Sequence, residues 1–160
     1  MYAQLNTKTV FSFMDATVKL TDYITAAKTL GYQTLGISDV DNLHAAHQFI
    51  TQAKAAGIQP VIGYETTLLL DGLAINFTFI AKTNAGLQNL YSISSKKNFG
   101  YNNFSDIHSH LGDVALILPA DSAVDSILTH LPQNDVFVGL AQPMAQGFLR
   151  PTIPFLSVRY

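Results

Sequence analysis

Short apolar runs rich in β-branched and aromatic residues alternate along this chain with stretches where apolar side chains recur every three or four positions. The first pattern suits buried strands and the second suits helices with one inner face. Strands are expected over residues 2–6, 34–38, 60–63, 114–118 (ended by Pro119), 136–140 and 153–158. A helix is expected from Thr21, a capping residue type, with Ile24, Ala27 and Leu30 inward and Gly31 as its stop. In the next helix Leu43, Ala46, Ile50 and Ala53 share a face, Asp41 or Asn42 can cap it, and Gly57 ends it. Asp71 and Gly72 separate runs 65–70 and 73–81, and that dipeptide favours the type I′ turn of a two-residue hairpin. A third helix from Asn84 carries Leu87, Leu90, Tyr91 and Ser94. Short helices are expected over 104–111 and after Asp121 or Ser122, with loops over 98–103 and 142–151.

Alternation of strands and helices predicts an α/β fold with a largely parallel sheet or barrel. The length of 160 residues fits one domain, and no internal repeat or low-complexity tract interrupts it. The apolar pattern of residues 155–160 has no polar tail after it, which reads as a chain cut from a longer protein. Strand edges left open by such a cut would favour self-association.

Composition narrows the function classes. The absence of cysteine removes disulfides, thiolate chemistry and Cys-type zinc sites, and points to a reducing, cytoplasmic setting. No stretch has the roughly 18 consecutive apolar residues of a membrane span, and the N-terminus lacks the features of a signal peptide. Charged residues make up only 12% of the chain, so hydroxyl and amide side chains must dress much of the surface. Net charge is −2 and Lys96 and Lys97 form the one adjacent basic pair, so no stripe suits a phosphate backbone.

Candidate chemistry is sparse. Asp39, Asp41 and Glu65, the sole glutamate, fall at or just beyond expected strand ends, where ligands gather in parallel α/β folds, which would let these carboxylates face a common cleft. A cap for Asp41 and a turn for Asp39 account for the two aspartates better than a ligand does. His44 and His47 lie off the inner face of their helix, His108 and His110 sit in a polar stretch, and His130 lies near a helix end. No nucleophile elbow or phosphate-cradling glycine loop is present.

Three blocks taken together change the picture: residues 5–16 (LNTKTVFSFMDA), 30–65 (LGYQTLGISDVDNLHAAHQFITQAKAAGIQPVIGYE) and 76–94 (NFTFIAKTNAGLQNLYSIS). In order and spacing they resemble the opening of the PHP domain of bacterial DNA polymerase III alpha subunits, nearest the DnaE type of low-GC Gram-positive bacteria. The likeness is clear to about Ser95 and looser beyond. It implies a PHP-type β/α barrel, incomplete here, and a single domain over 1–160 at the N-terminus of a longer subunit.

Active members of that family hold a divalent metal cluster through His, Asp and Glu for phosphoester hydrolysis, with cations roughly 3.5 to 4 Å apart activating a water. Carried over residue by residue, the first His-x-His pair falls at Asn6 and Lys8, and the Asp-His pair at Asp39 and Val40. Glu65 matches the family glutamate, a further histidine falls at Asn76, and the late Asp-x-His falls at Ser157 and Arg159. An amide is a poor ligand and a protonated amine is none. The resemblance thus implies vestigial metal positions, no metal and no catalytic residue in this segment. Lys8 and Arg159 are expected to supply the charge that Asp39 and Glu65 then need, with the ammonium within about 4 Å of a carboxylate.

The expected role is a non-catalytic structural PHP domain whose parent carries out DNA-directed DNA synthesis, with Mg in the parent's polymerase domain. Its partners are then other domains of the parent and replisome proteins, with no direct contact to nucleic acid or membrane. Two alternatives stand: a metal-dependent phosphoesterase or proofreading nuclease with residual metal binding, and a free-standing binding domain of the same fold.

Overall fold

A computed structural model describes residues 5–12, 19–119, 135–140 and 152–154. The expected helix after Asp121 or Ser122, the loop over 142–151, most of the last strand and His130, Ser157 and Arg159 lie outside the described residues. Six strands form one sheet in chain order: β1 (Thr34–Val40), β2 (Gln59–Leu70), β3 (Leu73–Ala81), β4 (Val114–Pro119), β5 (Val136–Leu140) and β6 (Thr152–Pro154). β3 is antiparallel to both neighbours and the other pairings are parallel, so five strands share one direction. Helices α1 (Leu20–Thr29), α2 (Ala46–Ala55), α3 (Asn84–Asn98) and the short α4 (Phe104–Ile107) complete the α/β fold, with a 3-10 turn at His108–His110. None of the described helices is long and apolar enough to cross a membrane.

The reversal between β2 and β3 follows from Asp71 and Gly72. Both have positive φ (50° and 81°), and Leu70 lies opposite Leu73, as a two-residue type I′ turn requires. α3 begins where its sequence allows a cap, because the Thr83 hydroxyl accepts from the Gly86 N–H at 3.2 Å. Its buried face is Gly86, Leu90, Ile93 and Ser94, whereas Tyr91, which shares the helical spacing, is half exposed.

Three expected helix starts and faces need correction. Thr21 lies inside α1, which starts at Leu20 without a side-chain cap and buries Leu20, Ile24 and Ala27. Leu30 is 73% exposed because the helix ends at Thr29 and Gly31, at φ 77°, turns the chain away. Neither Asp41 nor Asn42 caps α2, since both are committed to other bonds. The Asp41 N–H donates to the Glu65 carbonyl at 2.8 Å and its carboxylate accepts from the Thr66 hydroxyl. Asn42 donates to the Phe11 and Val40 carbonyls and accepts from the His44 N–H. The helix therefore begins at Ala46 and buries Ala46, Phe49 and Ala53.

The core sits between the sheet and these helices, with Leu35, Ile37, Tyr64, Phe77, Phe79 and Leu116 on the covered face. Phe77 stacks on Phe79 and on Phe104 of α4. Of the strand expected over 2–6, only Leu5 and Asn6 are described. The chain meets β1 there through polar bonds: the Ser38 N–H donates to the Thr7 carbonyl at 2.9 Å and the Ser38 hydroxyl to the Leu5 carbonyl at 3.0 Å. Gly63 permits this approach, because a Cβ at that position would stand 2.1 Å from the Ser38 hydroxyl oxygen.

Candidate functional site

The register of the sheet decides which carboxylates can meet. Glu65 lies opposite Val40 of β1 and Thr78 of β3, whereas Asp39 lies opposite Tyr64. Residues directly opposite share a face and successive residues alternate. Glu65 and Asp39 therefore leave the sheet on opposite sides. The expectation of a common cleft for them is corrected by this one-residue offset, which the separate strand sequences do not disclose.

On the Glu65 face, the residues at Asn6, Lys8, Val40, Glu65 and Asn76 are brought together from four chain segments, residues 5–12, β1, β2 and β3. The Lys8 ammonium is fully buried and forms an ion pair with Glu65 Oε2. It also donates to Asn6 Oδ1 and to the Ser38 carbonyl, each at 2.6 Å. Asn76 Nδ2 donates to Glu65 Oε1 at 3.0 Å, and the Thr78 hydroxyl reaches Oε2 at 3.5 Å. Every donor of the ammonium thus has an acceptor, and both oxygens of the carboxylate are engaged. The ammonium stands within the distance expected from sequence for compensating Glu65.

On the other face Asp39, 2% exposed, is satisfied differently. Its Oδ1 accepts from the Thr9 N–H at 2.7 Å and the Ser12 hydroxyl at 2.6 Å, and its Oδ2 accepts from the Thr9 hydroxyl at 2.7 Å. Ser12 in turn accepts from the Val40 N–H at 3.1 Å. Asp39 so anchors the loop of residues 9–12 to the end of β1. Thr9, Ser12 and the Ser38 carbonyl were not singled out from sequence, because nothing local marks a hydroxyl as the partner of a carboxylate some 30 positions away. Thr78 could have been found, since it lies two residues beyond Asn76 on the same face.

Next to Asp39 on that face, burial pushes the Tyr64 phenol above its ordinary value. The Ser94 hydroxyl opposes that shift, the Asp41 carboxylate adds to it, and Thr66 opposes it. Among the described residues, the buried phenol oxygen has no hydrogen bond of normal geometry. His44 and His47 are exposed, as their spacing implies, and His44 meets Phe11 edge to face. Among the described residues, no three His, Asp or Glu side chains converge as a metal-binding group.

Comparison with known proteins places this arrangement. The PHP domain family profile matches residues 4–140. DNA polymerase III subunit alpha of Streptococcus pyogenes serotype M3 is 36% identical over 163 aligned positions, covering 100% of this chain and 15% of that protein. The subunit of the same name from Staphylococcus epidermidis is 40% identical over 96 residues, covering 59% of this chain and 9% of that protein. The streptococcal likeness therefore continues past Ser95 to the end of the chain. The chain spans about 15% of the length of these streptococcal relatives. A solved amidohydrolase from Chromobacterium violaceum, with bound sulfate and no metal, has a similar fold. Its TM-score is 0.54 at 11% identity, over 80% of this chain and 72% of that one. With a family match over most of its length and the sheet and helices described above, this chain belongs to the PHP domain family.

Proposed function

We propose that this chain is a non-catalytic structural PHP domain of a DNA polymerase III alpha subunit, in which the Lys8 ammonium stands where relatives hold metal. The observation that carries the reading is the seat of Lys8, which is buried and donates to Glu65, Asn6 and the Ser38 carbonyl. A divalent cation on Glu65 would have to displace this ammonium or strip its proton, and among the described residues it would find two side-chain amides, the Ser38 carbonyl, the Thr78 hydroxyl and a valine around it. Amide oxygens and one carboxylate are a poor set for a cluster that in hydrolases needs imidazoles and several carboxylates. The donor set therefore does not fit a metal centre.

In this reading the domain stabilises its parent and docks on the parent's other domains and on replisome proteins, in the cytoplasm. DNA synthesis, with its Mg, belongs to the rest of the parent, and this segment makes no direct contact with nucleic acid. Two features favour a covered surface: the low charge density and the share of a longer subunit that the relatives match.

The test is metal content. The full chain, purified without chelator and then dialysed against Mn²⁺ or Zn²⁺, is expected to hold well under about 0.1 equivalent by elemental analysis. It is also expected to leave bis(p-nitrophenyl) phosphate intact. More than about half an equivalent of bound metal, with hydrolysis that follows it, would replace the structural reading with that of a phosphoesterase or nuclease.

A further inference from the structure

Three oxygens of the described residues meet the Lys8 ammonium, and each is held in place by something other than Lys8. Glu65 is set on β2 between Val40 and Thr78, and its carboxylate accepts from Asn76 Nδ2 at 3.0 Å and from the Thr78 hydroxyl at 3.5 Å. The Ser38 carbonyl is fixed by β1, where Ser38 pairs with Gly63 and donates through its N–H to the Thr7 carbonyl and through its hydroxyl to the Leu5 carbonyl. Asn6 lies buried between those two anchored residues. The sheet and the segment stitched to it thus place all three acceptors.

The chemistry of this seat selects its occupant. Glu65 supplies one negative charge, and the oxygens of Asn6 and Ser38 are neutral. One positive charge balances the carboxylate, whereas a divalent ion would leave a net charge buried. Three acceptors about one nitrogen match the three donors of a primary ammonium. A quaternary ammonium has the charge and no N–H to donate, and a guanidinium spreads its donors over a plane. The Lys8 side chain is fully buried, so beyond Cβ the protein encloses an unbranched three-carbon chain that ends in an ammonium.

We infer that the fold builds this seat as a receptor for primary alkylammonium ions, with Lys8 as its tethered occupant. The inference rests on the non-catalytic reading, in which Lys8 takes the place of metal. Pre-organisation by the sheet means that the seat outlives the tether. Free n-propylammonium has the four heavy atoms that Lys8→Ala removes, and it restores the bonds to Asn6, Ser38 and Glu65.

Urea unfolding of the full chain carrying Lys8→Ala tests this, with n-propylammonium chloride as the probe. A Kd on the order of 5 mM is expected. At about 100 mM the probe then raises the folded-to-unfolded ratio by about twenty-fold. Tetramethylammonium chloride and potassium chloride at the same concentration are expected to raise it by less than about two-fold. The unaltered chain, whose seat is filled, and the double variant Lys8→Ala, Glu65→Gln, whose seat lacks its charge, are expected not to respond. Where Lys8→Ala alone is unfolded, the probe is expected to fold it, read by circular dichroism. No gain with n-propylammonium overturns the inference. So does an equal gain with tetramethylammonium or potassium, or an equal gain in the unaltered chain or the double variant. Manganese held by the unaltered chain would instead overturn the non-catalytic reading, so the two failures are told apart.

Discussion

Two ion pairs of the same chemistry sit in opposite surroundings. Lys8 and Glu65 are almost wholly removed from water, with side chains 0% and 9% exposed, while Lys82 and Asp135 are 40% and 37% exposed. The exposed pair can lose a partner to water at little cost. In the buried pair each charge relies on the other and on a few fixed hydrogen bonds in place of solvent, so removing one leaves the second poorly compensated. The contrast separates what an ion pair adds to stability from what breaking it costs. A buried pair can add little over two apolar side chains and still be the most sensitive point of the fold.

The sharpest way to break this comparison is at Lys8. Lys8→Met leaves Glu65 charged and buried and strips a donor from Asn6 and from the Ser38 carbonyl. A loss of about 3–5 kcal/mol in urea denaturation is expected. The double variant Lys8→Met, Glu65→Leu removes both charges and is expected to recover much of that loss. If the single change costs less than about 1 kcal/mol, the pair is effectively hydrated and the contrast with Lys82 and Asp135 disappears.

A smaller effect is expected at Asp39, a buried carboxylate that accepts from one backbone N–H and two hydroxyls. Asp39→Asn keeps the shape, but its amide nitrogen turns one acceptor into a donor facing donors. The expected loss is about 1.5–3 kcal/mol, the range for hydrogen bonds to a charged group. Because the bonds lock residues 9–12, hydrogen exchange at the Thr9 amide should accelerate before the rest of the sheet is affected. Unchanged protection at Thr9 would mean that the loop is held by something other than this carboxylate.

These two carboxylates also mark how far the chain could be read from its letters. The hairpin at Asp71 and Gly72, the stops at Gly31 and Gly57 and the third helix were legible because each depends on a few neighbouring residues. The same holds for the gathering of Asn6, Lys8, Glu65 and Asn76, once the family pattern supplied the spacing. What failed was long-range. The caps assigned to Asp41 and Asn42 go instead to the middle of β2 and the end of β1, since Thr66 and the Val40 carbonyl compete for them only after the strands have paired. Leu30 and Tyr91 have the spacing of core residues, but where a helix stops and which neighbour lies over it are settled by tertiary packing. Asp39 and Glu65 were read as one cleft because both end adjacent strands. A register of one residue, invisible in either strand alone, sends them to opposite faces.

The smallest effect is expected at the exposed pair, and it fixes the lower end of the comparison. Lys82→Met and Asp135→Asn, alone and together, form a double-mutant cycle in which asparagine still tolerates the positive φ of 65° at position 135. The backbone role of that residue, its carbonyl accepting from the Leu116 N–H at 2.8 Å, is untouched by the change. What the cycle measures is therefore the side-chain coupling alone, and a value below about 1 kcal/mol is expected. At 1 M salt the screening length shrinks to about 3 Å, so that coupling should fall toward zero. The Lys8 and Glu65 coupling should persist at the same salt, because an ammonium with no exposed surface is not screened by mobile ions. A coupling at Lys82 that survives high salt at about 2 kcal/mol or more would show that exposure is not what separates the two pairs.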